Sequence, residues 1–287
     1  QVWYNTTSNT VKANYINPGS WATGGSLNTA RSALAGAGTQ TAALAFGGSP
    51  PVVAITESYN GTSWTEVNDM NTARYRLAGV GTQTAALVFG GFIPPSTAAT
   101  ETWNGTNWTA VNSMNTARHF LAGAGTNTAA LAFGGESPIT AITELWNGTN
   151  WAEVNDLNTA RFQLAGCGTQ TAALGFGGYS GPITANTETW NGTNWTEVNN
   201  LNTARQGLAG AGTNTAALAF GGTPAPTGNT ESWNGTNWTE VGDLGTERYT
   251  LAGAGINTSA LAFGGSGPTA ATEEFSSGPA TVTFDNS

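Results

Sequence analysis

The sequence predicts an all-β protein closed into a ring of six repeated sheets, each of four antiparallel strands. Three observations lead there. Arginines recur at Arg31, Arg74, Arg118, Arg161, Arg205 and Arg248, in steps of 43 or 44 residues. A fixed period between 20 and 50 residues marks a solenoid, a propeller or an array. Each arginine heads the same phrase, which reads NTARYRLAGVGTQTAALVFGG and later TETWNGTNWTAVNSM in the second copy. Each period also holds four short strand-like segments separated by turn signals, with no helical period. Four strands in about 40–50 residues make one propeller blade.

The third repeat illustrates the elements in order. Leu121 to Gly125 is the first strand, and its Gly/Ala content suits an innermost strand converging on the axis. A turn at Thr126-Asn127 leads to the second strand, Thr128 to Phe133, which ends in Gly134-Gly135. A loop of variable length follows. The third strand ends at Trp146, Asn147-Gly148 gives a tight hairpin signal, and Trp151 to Val154 is the fourth strand. Phe133, Trp146 and Trp151 are expected farther out, filling the space between blades.

Closure has two readings. Trp21 to Thr23 aligns with the fourth strand of the other repeats. It is expected to complete a sixth blade that has only three strands of its own. In the alternative, Thr281 to Phe284 joins N-terminal strands in a seventh, irregular blade. Residues 1–15 do not follow the repeat and read as a hairpin or linker, with strands at Val2 to Tyr4 and Val11 to Tyr15. Residues 16–287 are assigned to the propeller.

The recurrent features are a Gly-Gly pair after the second strand (Gly47-Gly48 through Gly264-Gly265), a following aromatic, a Trp about five residues later, and the arginine opening the next blade. In these the chain resembles the kelch-repeat family over about residues 20 to 276. The resemblance implies a six-bladed kelch-like β-propeller. It implies little about activity, because kelch propellers include adaptors, lectin-like modules and oxidases.

Composition narrows the partners. Only 9% of the 287 residues are charged, against roughly 25% in an average domain. Net charge is −9 with eight basic residues, so neither nucleic acid nor an anionic membrane surface is an expected partner. No apolar run is long enough to span a bilayer. Cys167, the single cysteine, replaces the Ala or Val of the other repeats and reads as a small apolar filler.

Comparing the repeats with each other separates two faces. Turns between first and second strands (TQT or TNT) and between third and fourth strands (NGT) are monotonous and share one face. Loops between second and third strands, and the links between blades, share the other. There the loops diverge: Ser49–Ala54, Phe92–Ala99, Glu136–Ala141, Tyr179–Asn186, Thr223–Asn229 and Ser266–Ala271. The two residues after each repeat arginine diverge as well. Function on repeat scaffolds concentrates on such loops. The candidate ligand-binding residues are therefore Tyr75, Arg76, Phe92, His119, Phe120, Glu136, Phe162, Gln163, Tyr179, Gln206 and Tyr249.

Other motifs have structural explanations. The six arginines match six recurrent glutamates (Glu57, Glu101, Glu144, Glu188, Glu231, Glu273), so ties between blades are expected in place of an anion-binding ring. The Asn-Gly-Thr turns fit a glycosylation sequon but also supply the positive φ of a tight hairpin. His119 is the only histidine, whereas the copper site of kelch-type oxidases needs two histidines and a Cys–Tyr pair. No nucleophile motif, acidic metal-binding loop or distinctive carboxylate pair stands out. The chain is expected to be non-enzymatic and to need no cofactor or metal.

The segment VWYNTTSNTVK, followed by a Trp, resembles short stretches of bacteriophage tail-fibre and other virion proteins. That resemblance implies a propeller module on a virion surface or in an extracellular setting. Its expected partner is a host cell-surface glycan or protein, with other virion proteins as neighbours. The alternatives are a purely structural decoration or assembly module, and a secreted bacterial adhesin or glycan hydrolase.

Overall fold

A computed structural model describes the backbone of residues 2–5 and 10–285 and the side chains of residues 17–279. Among the described residues there is no helix, and the strands form six antiparallel sheets. The first blade consists of Ala35–Gly38, Ala43–Phe46, Thr56–Tyr59 and Trp64–Val67, ordered from the axis outwards. The next four blades repeat it. Innermost strands of successive blades pack side by side, and the sixth packs against the first. The protein is a six-bladed β-propeller.

The sixth blade closes the ring with a strand from the other end of the chain. Its own strands are Ala252–Ile256, Ser259–Phe263 and Thr272–Asp285, and Thr10–Thr23 supplies the fourth. Ser20 to Thr23 pair with Ser276 to Glu273 in the outermost-strand position. Past a register shift, the same two strands run on beyond the point where the other blades turn, Thr10 to Asn17 against Asp285 to Gly278, and Val2–Asn5 adds one more strand. Thr281 to Phe284 therefore prolong the sixth blade and form no seventh. The fifth blade adapts to this extension. Gly242 stands where four other blades have Asn, its N–H donates to the Gly19 carbonyl at 3.2 Å, and a Cβ there would press on that same carbonyl.

Aromatic wedges fill the space between blades. The second-strand Phe of each blade meets the fourth-strand Trp of the next, with ring centroids 4.7–5.1 Å apart at all six junctions. That Trp also donates through Nε1 to a buried Thr hydroxyl on the preceding blade, as Trp195 does to Thr143 at 3.1 Å. Trp21 does the same to Thr230 at 3.0 Å, so the closing junction uses the bond of the other five. The Phe explains the innermost glycines. A methyl group at Gly36, Gly79, Gly123, Gly166, Gly210 or Gly253 would run into the preceding blade's Phe ring. Crowding by that Phe, more than convergence on the axis, keeps these positions bare.

Each repeat arginine grips two blades. The Arg161 carbonyl accepts from Gly135 N–H of the preceding blade at 2.9 Å. Its guanidinium turns into its own blade, donating to the carbonyls of Gly177, Asn186 and Gly175 and to Glu188 Oε1 at 3.1 Å. Glu188 Oε2 in turn accepts from the backbone and side-chain nitrogens of Asn158 at 2.7 and 2.8 Å. Such pairs are fully buried in the ring. Burial works against the guanidinium charge and pushes Arg118 down to about 10, with Glu144 opposing, so it stays charged at neutral pH. Only the Nε–H of each arginine is buried without a partner. The expected blade ties are present, with the ion pair inside one blade and the backbone reaching the other.

Removing one member of a buried ion pair strands the other. Arg161→Met is expected to cost about 3–5 kcal/mol in denaturant unfolding. Adding Glu188→Gln should recover part of that, because no uncompensated charge remains. A smaller loss in the single variant than in the double would contradict this account. Trp21 is partly buried against Phe220 and Phe275, so Trp21→Ala should lower stability by about 2–3 kcal/mol, somewhat less than truncating a fully buried aromatic. A negligible change in melting would mean that the N-terminal strand does not lock the ring.

Candidate functional site

The first residue after each arginine bridges to the residue after the Gly-Gly pair, placing both on the diversified face. The pairs are Ser32 with Ser49, Tyr75 with Phe92, His119 with Glu136, Phe162 with Tyr179 and Gln206 with Thr223. In the sixth blade, Ser266 N–H donates to the Tyr249 carbonyl at 2.7 Å.

The second residue after each arginine stands at the axis. Ala33, Arg76, Phe120, Gln163, Gly207 and Thr250 form a closed cycle in which each N–H donates to the carbonyl of the preceding blade's member, at 2.7–2.9 Å. This ring rims an axial cavity of about 150 Å³ that the innermost strands line below it. All six residues have φ between 50° and 63°. Glycine adopts that conformation freely, whereas L-residues bear roughly 1–2 kcal/mol. Only one blade uses Gly, and the others carry five different side chains.

Side chains divide this face. Over blades two to four, aromatic rings follow one another: Tyr75–Phe92 at 5.7 Å, Phe92–His119 at 4.9 Å, His119–Phe120 at 5.4 Å, Phe120–Phe162 at 6.0 Å and Phe162–Tyr179 at 5.4 Å. The Arg76 guanidinium lies 4.9 Å from the centre of the Tyr75 ring, 5.7 Å from Phe92 and 4.5 Å from Phe120. The other three blades present Gln206, Thr223, Tyr249, Thr250, Ser266, Ser32 and Ser49. Thus eight of the sequence-selected residues form one crescent, with Gln163 beside it on the axial ring. Gln206 and Tyr249 lie on the polar half, where Gln206 Oε1 is buried without a partner.

His119 is the buried hub of the crescent. Its Nε2 lies 3.4 Å from Glu136 Oε2 and its Nδ1 2.9 Å from Ser96 Oγ. A carboxylate only accepts, so Nε2 carries the proton and Nδ1 accepts from the Ser96 hydroxyl. Ser96 belongs to the divergent loop Phe92–Ala99, but nothing in its own sequence context singles it out. The trio has the composition of a nucleophile–base–acid relay. However, the adjacent Thr97 N–H is committed to the Gly91 carbonyl at 3.0 Å, so it supplies no oxyanion donor. The trio clamps the second blade's loop to the third blade.

The repeat arginines take no part in this surface, since their guanidinium groups are buried against glutamates and carbonyls. Cys167 is buried, and burial raises its thiol to about 12, which leaves it inert as a nucleophile. Among the described residues, no group of three or more His, Cys, Asp or Glu side chains gathers as a metal site would require. No family model matches the chain, and no curated protein is significantly similar to it.

Desolvation holds His119 below the ordinary histidine value, with Arg76 acting in the same direction and Glu136 against it. The unfolded chain therefore takes up a proton that the folded chain resists. The stabilising contribution is complete above the ordinary value of about 6.5 and is lost as pH falls through the depressed folded value. Between about pH 7.5 and about pH 5, wild-type melting temperature should fall further than that of His119→Gln. Parallel melting curves would refute a role for this group.

Proposed function

We propose that this protein is a non-enzymatic recognition module that binds a cell-surface carbohydrate through the diversified face. One observation carries the reading: the axial ring repeats a glycine-favouring conformation six times and fills it with six different residues. Strain retained at positions where a cheaper residue exists points to function. The crescent fits the ligand class, since aromatic faces cover the apolar C–H patches of a sugar while Arg, Gln and Ser donate to or accept from its hydroxyls. The aromatic rings are also locked against one another, so little order need be gained on binding.

The Gly-Gly, Trp and Arg pattern supports a kelch-like module. The VWYNTTSNTVK segment supports a place on a bacteriophage particle, at a tail fibre or another virion surface. The host glycan, or a host protein bearing it, would then be the partner. A second role has its own observation. The opposite face repeats NGT turns with the same internal hydrogen bonds in five blades, from Asn60 to Asn234, and a surface so uniform suits docking on other virion proteins.

A glycan array tests the first reading. Binding to a defined set of saccharides is expected, and Phe162→Ala with Tyr179→Ala should weaken it at least about tenfold. Melting should shift by only a few degrees, because neither side chain belongs to the buried core between blades. Binding that survives this double change would move the site elsewhere, and turnover of a bound saccharide would overturn the non-enzymatic assignment.

A further inference from the structure

Arg76 stands apart from the other arginines. The chain has eight basic residues. Six repeat arginines each hold a buried glutamate. The Lys12 side chain lies outside those described. Among the described residues, Arg76 has neither a carboxylate partner nor a hydrogen-bond acceptor for its guanidinium. A free guanidinium is normally mobile and hydrated. This one is held over Tyr75, Phe92 and Phe120, with centroid distances of 4.5–5.7 Å, on a backbone fixed by the axial ring.

Three rings satisfy the charge in part but accept none of the in-plane N–H bonds. The result is a planar fork of donors, already oriented and partly desolvated, at the rim of the axial cavity. A guanidinium fork matches the two oxygens of a carboxylate or the oxyanions of a sulfate in bidentate fashion. Neutral hydroxyls would use it less well. Glu136, the carboxylate of the crescent, lies against His119 at 3.4 Å and forms no ion pair with Arg76.

Resting on the carbohydrate reading above, we propose that the ligand is an acidic saccharide, with Arg76 receiving its anionic group and Phe120 and Phe162 flanking the sugar ring. The carboxylate of a uronic or ulosonic acid and the sulfate ester of a sulfated sugar share this chemistry.

An array of matched saccharides tests it: uronate-containing oligosaccharides, their carboxyl-reduced counterparts, and neutral oligosaccharides with and without sulfate. Acidic members should bind, and loss of the anionic group should weaken binding about tenfold or more. Carboxyl reduction and desulfation show which group is read. Arg76→Gln should produce a similar loss and reduce the salt dependence of binding. Arg76→Lys should recover only part of it, because an ammonium lacks the fork. Arg76→Met keeps the apolar contact with the rings, so loss of binding at unchanged melting temperature assigns the effect to the charge. If hits are confined to neutral saccharides, or acidic binding ignores Arg76→Gln, this inference fails while the carbohydrate reading stands. If no saccharide binds, both fail.

Discussion

The ring depends on one repeated junction, in which a buried arginine holds its own blade by the side chain and the preceding blade by the backbone. Isolated four-stranded sheets have no reason to meet at a fixed angle. The Gly-Gly pair bends the chain so that the second glycine's N–H reaches the next arginine's carbonyl, and Gly134 and Gly135 do this with φ of 65° and 115°. The guanidinium then satisfies carbonyls at the edge of its own blade and a glutamate within it. Buried charges are tolerable only when paired and hydrogen-bonded, as both terminal nitrogens of each guanidinium are here, with the Nε–H alone unpartnered. Burial of Phe and Trp between the blades supplies apolar driving force, and the arginine fixes where each blade stands.

The axial ring adds a second constraint of a different kind. It is made from backbone N–H and carbonyl groups alone, so its hydrogen bonds form whichever side chain projects from it, although every residue but glycine bears the strain of the positive φ. That separation lets one scaffold carry Ala, Arg, Phe, Gln, Gly and Thr in equivalent places without altering the closure. It also explains how a chain with sixfold architecture has a face that is not sixfold. Aromatic side chains accumulate over three adjacent blades because the bridges of blades two and four each bring two rings together, Tyr75 to Phe92 and Phe162 to Tyr179, and His119 and Phe120 of blade three link them.

Much of this is legible in the sequence. Gly-Gly pairs, Trp positions and Arg–Glu matching are local or strictly periodic, so repeat comparison exposes them. Trp21 was readable as a closing residue because its neighbours match other fourth strands. Less visible was the reason for the innermost glycines, since the Phe that excludes a side chain belongs to the preceding repeat, 33 residues earlier for Gly166 and Phe133. The reason for Gly242 is equally distant, because the Gly19 carbonyl that excludes a side chain there comes from the other end of the chain. Ser96 gave no signal, because its importance lies in a histidine 23 residues away on another blade.

The sequence by itself determined the four-stranded repeat, the order of strands within it and the assignment of loops to two faces. Each follows from periodicity, turn chemistry and strand alternation, which act over a few residues or repeat identically. Closure with six blades or seven stayed open in the sequence and was decided by the strand pairing. Tertiary structure alone decided that the divergent residues of blades two to four become one surface, that their arginine is left without a carboxylate, and that the axis is rimmed by a continuous backbone cycle. Those facts arise where residues from different repeats converge, and their geometry exists only once the ring has closed.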